Sequence, residues 1–79
     1  MTREEVFEKL NTVFRENFDD DEINLTDSTS SEDIEDWDSL AHVELVMSME
    51  KEFNMKFNIK EVGKLKNVGE MADLILSRL

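Results

Sequence analysis

The stretch DSLAHVELVMSMEKEF, residues 38–53, predicts an amphipathic helix with a serine in its first turn. At about 100° per residue, one arc of this helix is apolar enough to face a core. That arc contains His42, Leu45, Val46, Met49 and Phe53. Asp38 predicts an N-cap, because its carboxylate can accept hydrogen bonds from amides at a helix start and offset the helix dipole. We therefore expect a helix from about Ser39 to Asn54.

A second apolar strip lies on a different arc of the same helix. Within roughly 60° of each other on the helical wheel are Leu40, Val43 and Met47. Glu44 and Glu50 flank this apolar strip, and Ser39 lies at its N-terminal end. Exposed apolar side chains with a polar rim indicate a docking surface. The alternative is that loop residues such as Ile23 or Ile34 cover the strip, but the neighbouring serine favours docking.

Three other segments begin with a polar residue followed three positions later by Glu, a pattern that predicts capping boxes. The pairs are Thr2 with Glu5, Asn58 with Glu61, and Asn67 with Glu70. They predict helices from about Arg3 to Phe18, Ile59 to Gly63, and Val68 to Arg78. The inward positions are Val6, Leu10, Val13, Phe14 and Phe18 in the first helix, and Val68, Met71, Ala72, Ile75 and Leu79 in the last.

The expected fold is therefore all-α, a small four-helix bundle with a short third helix and a long loop between the first two helices. That loop spans residues 19–37 and is rich in residues that favour caps and turns. It ends at Trp37, two residues before Ser39. We interpret Trp37 as a hydrophobic anchor that seats the loop on the bundle, with direct ligand contact as the alternative.

Composition narrows the function classes. With 79 residues, we expect one domain, residues 1–79, and there is no cysteine for a disulfide or a cysteine-based zinc site. Twenty acidic and nine basic residues give a net charge of −11, which disfavours nucleic acids and favours basic partner surfaces. An EF-hand requires a glycine within its loop, but the only glycines are Gly63 and Gly69, so we expect no metal site of this kind or any other defined type. Weak, diffuse binding of divalent ions that relieves charge repulsion stays open as an alternative. We expect a cytoplasmic location, because no window approaches the roughly 20 apolar residues of a membrane span.

The run from Asp38 to Met47 resembles the serine-bearing helix of the acyl carrier protein family. The resemblance implies that a phosphopantetheinyl transferase attaches 4'-phosphopantetheine from coenzyme A to Ser39, and that the chain tethers acyl groups as thioesters. It also implies a monomeric carrier that is not an enzyme and meets acyl-loading and acyl-using enzymes through basic patches. The positions that match the family's partner face are Asp38, Leu40, Val43, Glu44, Met47 and Glu50.

Two departures bear on the subtype. Fatty-acid-type members usually have Gly and a small residue shortly before Asp-Ser-Leu, where this chain has Glu35, Asp36 and Trp37, and a small or polar residue is common where His42 stands. The run from Trp37 to Val43, together with residues 67–70 at the start of the last helix, looks more like stand-alone specialised carriers of surface-polysaccharide or natural-product pathways than the housekeeping fatty-acid carrier. Three alternatives stay open: an aminoacyl or peptidyl carrier, a D-alanyl carrier, and a structural adaptor that has lost its modification.

His42 follows Ser39 by three residues, which invites a serine–histidine catalytic pair with Asp38 or Asp36 as the orienting acid. The helical wheel instead places His42 toward the core. A chain this short also offers little from which to build an oxyanion hole and a substrate pocket. We therefore predict a structural histidine and no catalytic residues.

Overall fold

The computed structural model describes the backbone of residues 1–79 and every side chain except that of residue 59. In this part of the chain it has four helices: α1 (Arg3–Phe18), α2 (Ser39–Phe53), α3 (Ile59–Gly63) and α4 (Val68–Arg78). The predicted all-α order and its short third helix are confirmed. The predicted end of α2 is one residue too far, because Asn54 adopts the left-handed conformation of a C-cap, with φ 51°.

Capping explains where the helices begin. Two of the three predicted capping boxes form, Thr2 with Glu5 and Asn58 with Glu61. The pKa of the Glu61 carboxyl lies below its usual range. The main cause is the hydrogen bond from the N–H of Asn58, and the second is the hydrogen bond from the Arg78 guanidinium. The third predicted capping box, Asn67 with Glu70, forms only one of its two hydrogen bonds. Asn67 Oδ1 accepts from the N–H of Glu70, but the Glu70 carboxylate accepts from the N–H of Lys66.

The core lies where α2 and α4 pack against α1. Its buried residues are Val6, Leu10, Val13 and Phe14 of α1, Leu45, Met49 and Phe53 of α2, Val68, Met71, Ala72 and Ile75 of α4, and Leu25 and Trp37 of the loop. Leu79, predicted to face inward, is 57% exposed. It follows the last helical residue, so the helical wheel that predicted its direction no longer applies.

The long loop is attached to α1 along its length. The N–H of Leu25 donates to Asn11 Oδ1 at 2.8 Å, and Arg15 Nε donates to the carbonyl of Ile23 at 2.7 Å. Leu25 is buried, while Ile23 and Ile34 pack against the edge of the core. The apolar residues of the loop therefore serve as anchors, and they fix the loop along the surface of the bundle.

The loop also caps α4. The N–H groups of Val68 and Gly69 donate to the carbonyls of Thr29 and Asp27, at 2.8 and 2.9 Å. These bonds satisfy amides that a helix start leaves without intrahelical partners. Arg3 forms an ion pair with Asp27 and donates to the carbonyl of Gly69 at 3.3 Å. The starts of α1 and α4 are thus joined through the loop.

The close contact between the loop and the start of α4 can be tested by substituting Gly69. A Cβ at this position would lie 2.8 Å from the Asp27 carbonyl oxygen and 2.9 Å from Asp27 Oδ1. Replacing a helical glycine with alanine normally stabilises by up to about 1 kcal/mol, but this overlap involves backbone. We expect Gly69→Ala to lower the free energy of unfolding by about 1–3 kcal/mol, measured by urea denaturation.

Gly63→Ala is the matched control, because a Cβ there meets nothing within 4 Å. It should leave the stability unchanged or raise it slightly. Equal effects of the two substitutions would contradict the proposed overlap between Gly69 and the loop.

Candidate functional site

Ser39 is the first residue of α2 and its side chain is exposed. Asp38 caps the helix as predicted: its Oδ1 accepts from the N–H of Ala41 at 2.8 Å, and its carbonyl accepts from the N–H of His42 at 2.9 Å. The cap fixes the backbone on both sides of the serine. The hydroxyl is consequently held at a defined place on the surface, where a second protein can reach it.

The apolar strip beside Ser39 is open to solvent. Leu40, Val43 and Met47 are 71%, 47% and 63% exposed. The alternative that Ile23 or Ile34 covers the strip is wrong, because both pack against the core cluster. The strip therefore lies on the surface as an unusual concentration of large apolar side chains on a highly charged protein.

The carboxylates that flank the strip differ from each other. Glu44 is exposed, whereas Glu50 is half-buried and its Oε2 accepts from the N–H of Phe57 at 2.8 Å. Glu50 thus holds the segment that follows α2, in addition to contributing charge beside the strip. Only the exposed part of its carboxylate can contact a partner.

Trp37 is confirmed as a hydrophobic anchor. Its side chain is buried, and its ring meets Phe14 edge to face at 5.1 Å between centroids and Phe18 at 6.5 Å. The ring thereby fixes the end of the loop to α1 immediately before α2 begins. It also borders an open cleft beside Ser39.

His42 connects three parts of the chain. Trp37 Nε1 donates to His42 Nδ1 at 3.0 Å, and His42 Nε2 lies 3.1 Å from the carbonyl oxygen of Val62 in α3. An indole N–H can only donate, so Nδ1 accepts and Nε2 carries the hydrogen that Val62 receives. Both ring nitrogens are engaged away from Ser39, which agrees with the prediction of a structural histidine.

The helical periodicity predicts that His42 points toward the core, but it does not predict these two hydrogen bonds. His42 is half-buried, at the edge of the core cluster. The nearby Trp37 was visible as a potential donor, but Val62 is 20 residues away and contributes a backbone carbonyl. A residue pattern carries no signal for a carbonyl acceptor.

An open cleft of about 420 Å³ lies next to Ser39. The start of α2 borders it on one side, and Val62, Gly63, Leu65 and Lys66 border it on the other. This lining combines apolar atoms with the hydroxyls of Ser31 and Ser39, the carboxylate of Asp38 and the cation of Lys66. Such a surface fits an arm made of a phosphodiester and amide groups, because Lys66 can balance the phosphate charge.

Comparisons with known proteins agree with this geometry. Residues 8–75 match the family model described as "Phosphopantetheine attachment site". The chain is 32% identical to an acyl carrier protein of Lactobacillus acidophilus, over 98% of this chain and 96% of that one. It is 34% identical to an acyl carrier protein of Petrotoga mobilis, over 100% of this chain and 93% of that one.

The chain belongs to the acyl carrier protein family. A solution NMR structure of a holo acyl carrier protein from Geobacter metallireducens superimposes with a TM-score of 0.84. It shares 47% sequence identity and covers 92% of this chain and 87% of that one. The family's cofactor is 4'-phosphopantetheine, and the relatives are carrier proteins. In the part of the chain that the structure describes, none of the helices has the length and apolarity needed to cross a bilayer.

The hydrogen bonds of His42 can be tested by ¹⁵N NMR. In neutral to mildly alkaline solution we expect Nδ1 to resonate as an unprotonated acceptor and Nε2 as a protonated donor, because Trp37 can only donate. Trp37→Phe removes that donor and should shift the Nδ1 resonance. A wild-type imidazole that carries its hydrogen on Nδ1 would contradict the arrangement.

Proposed function

We propose that Ser39 is the residue that carries the 4'-phosphopantetheine arm, and that the chain tethers acyl groups as thioesters and presents them to partner enzymes. The observation that carries this proposal is an exposed hydroxyl in the first turn of α2, next to an exposed apolar strip. Both lie within the residues matched by the phosphopantetheine attachment model. When attached, the arm supplies the thiol, which a chain without cysteine does not have.

In the attachment reaction, this chain supplies only the serine hydroxyl. Ser39 Oγ forms a phosphoester bond to the phosphorus next to the pantetheine in coenzyme A. The bond from that phosphorus to the bridging oxygen of the pyrophosphate breaks, adenosine 3',5'-bisphosphate leaves with that oxygen, and the hydroxyl proton passes to a base of the transferase. Because both nitrogens of His42 are occupied, the activating base comes from the transferase. The contribution of α2 is to hold the hydroxyl in an accessible place.

The apolar strip and the acidic groups around it form the proposed partner face: Asp38, Leu40, Val43, Glu44, Met47 and Glu50. The strip supplies apolar area, and the carboxylates attract enzymes with Arg and Lys patches. With a net charge of −11, the whole chain reinforces this attraction. In this proposal the carrier works as a cytoplasmic monomer that meets the transferase and the acyl-handling enzymes in turn.

An acyl cargo is favoured over an aminoacyl, peptidyl or D-alanyl cargo by the exposed Glu44 next to the strip and by relatives named acyl carrier protein. Loading trials with ketosynthase-type and adenylation-type partners distinguish these cargo classes. The Trp37 to Val43 run supports a specialised pathway, such as surface-polysaccharide or natural-product synthesis.

Attachment at Ser39 is tested by intact-mass spectrometry after incubation with coenzyme A and a promiscuous phosphopantetheinyl transferase. Wild type should gain the mass of one arm and Ser39→Ala should gain none. Ser31→Ala is the matched control, because Ser31 borders the same cleft and is also exposed. It should gain one arm. An unmodified wild type, or an arm on Ser39→Ala, would show that the proposed attachment site is wrong.

The partner face is tested by reversing the charge of Glu44. We expect Glu44→Lys to lower kcat/KM of arm transfer by roughly 10-fold at low ionic strength, because a rim charge acts mainly on association. High salt should reduce the difference. Glu8→Lys makes the same change of net charge at an exposed position of α1 and should have a much smaller effect. Equal effects would indicate that only net charge matters.

A further inference from the structure

Two aromatic rings form the boundary between the cleft beside Ser39 and the core on the side of α1, while Val62 and Leu65 line its opposite side. Trp37 and His42 both border the cleft, and their planes are inclined by only 19°. On its other side, Trp37 contacts Phe14 and Phe18 of α1. Phe14 is fully buried. The Trp37–His42 pair therefore lies between the proposed attachment site and the interior of the bundle.

Hydrogen bonds hold the pair in place. Trp37 Nε1 donates to His42 Nδ1, and His42 Nε2 donates to the carbonyl of Val62. Trp37 is buried and Val62 is also buried, at 3% exposed. Moving the imidazole aside would leave the N–H of the buried indole without its acceptor, which is costly. It would also remove one of two donors from the Val62 carbonyl, which accepts from the N–H of Leu65 at 3.4 Å as well. The pair thus bridges the loop, α2 and α3 and resists opening.

The core beyond the pair is packed with apolar side chains, of which Phe14 contacts the Trp37 ring. Phe14, Leu45 and Met49 are fully buried. An alkyl chain tethered near Ser39 would be stabilised by entering an apolar interior, but the route crosses the pair. The cleft outside it has the charged groups of Asp38 and Lys66 in its lining, which favour polar groups over a long alkyl chain.

We infer that the Trp37–His42 pair closes the route from Ser39 to the core, so that the acyl group stays in the outer cleft and the carrier is suited to short or polar acyl groups. This inference rests on the proposed attachment at Ser39. It makes His42 a specificity-determining residue, because the imidazole fills the space between the indole and α3. A long apolar chain would remain in water or on the surface.

The test uses the full chain loaded at Ser39 from acetyl-, butyryl-, hexanoyl- and octanoyl-coenzyme A, with loading verified by intact mass. For wild type, we expect the melting temperature to be independent of acyl length and the NMR methyl signals of Leu45 and Ile75 to be unchanged. For His42→Ala, removal of the imidazole opens the route. Its melting temperature should rise by roughly 4–8 °C from acetyl to octanoyl, and the core methyl signals should move.

Ser31→Ala is the matched control, because it changes the mouth of the cleft without changing the pair, and it should behave as wild type. If His42→Ala does not fold, Trp37→Phe keeps an aromatic ring but removes the indole donor. Octanoyl should then move the core methyl signals of that variant.

Several results would overturn the inference. Core methyl signals or a melting temperature that change with acyl length in wild type would show that the chain enters the core. If His42→Ala folds and its melting temperature is as independent of acyl length as that of wild type, His42 is not the barrier. If no arm appears on wild type, the mass measurement overturns the proposed function itself, and this inference with it. If wild type is fully loaded and its core methyl signals move with acyl length, only this inference is overturned.

Discussion

The position of Ser39 depends on the packing of Trp37 against Phe14. A loop of this length has a large entropic freedom, and an α2 attached only by its apolar face could slide or rotate on α1. Burying an indole one residue before the N-cap removes that freedom at the place where it matters. The edge-to-face contact at 5.1 Å and the bond from Trp37 Nε1 to His42 orient the ring from two directions. The start of α2 is thereby fixed through Trp37, which contacts Phe14 of α1 and donates to His42 of α2.

The high negative charge is compatible with this fold because charged groups are used at the edges of the structure. The carboxylates of Glu5 and Glu61 accept from backbone N–H groups, which lowers the pKa of each. Arg3 pairs with the carboxylates of Asp27 and Asp73, and Arg78 pairs with that of Glu61. The buried residues of the core are apolar. Charge repulsion is therefore spread over the surface, where water and salt screen it. In the proposed function, the same surface charge attracts enzymes with basic patches.

The sequence predicted the helices well because their signals are local. Helical periodicity and a capping residue lie within a few positions of each other, so the starts at Arg3, Ser39, Ile59 and Val68 could all be predicted. The exposed strip was also predictable, because one helix cannot bury two separate arcs against one core. The exposed Leu79 was missed because periodicity does not show where a helix ceases to direct its side chains.

The parts that could not be predicted depend on backbone groups brought together by the fold. The third capping box predicts a bond within the pair, but in the structure Glu70 accepts from the backbone of Lys66. Gly69 looks like a weak helix residue in the sequence, yet its lack of a side chain lets the carbonyl of Asp27 approach α4. The bond from His42 to Val62 has the same character. Carbonyl and amide groups are identical in every residue, so only the fold reveals which of them are used.

The arrangement of α2 separates three tasks on one helix. Leu45 and Met49 hold it to the core, Leu40 and Met47 face solvent, and His42 reaches across to α3. A period of 3.6 residues places these groups on different arcs, so a change on the exposed arc leaves the packing arc intact. A carrier that must meet different enzymes benefits from this separation, because its partner face can vary without loss of stability. His42 lies where the packing arc meets the cleft, so the proposed barrier to the acyl group uses a side chain that also joins α2 to α3.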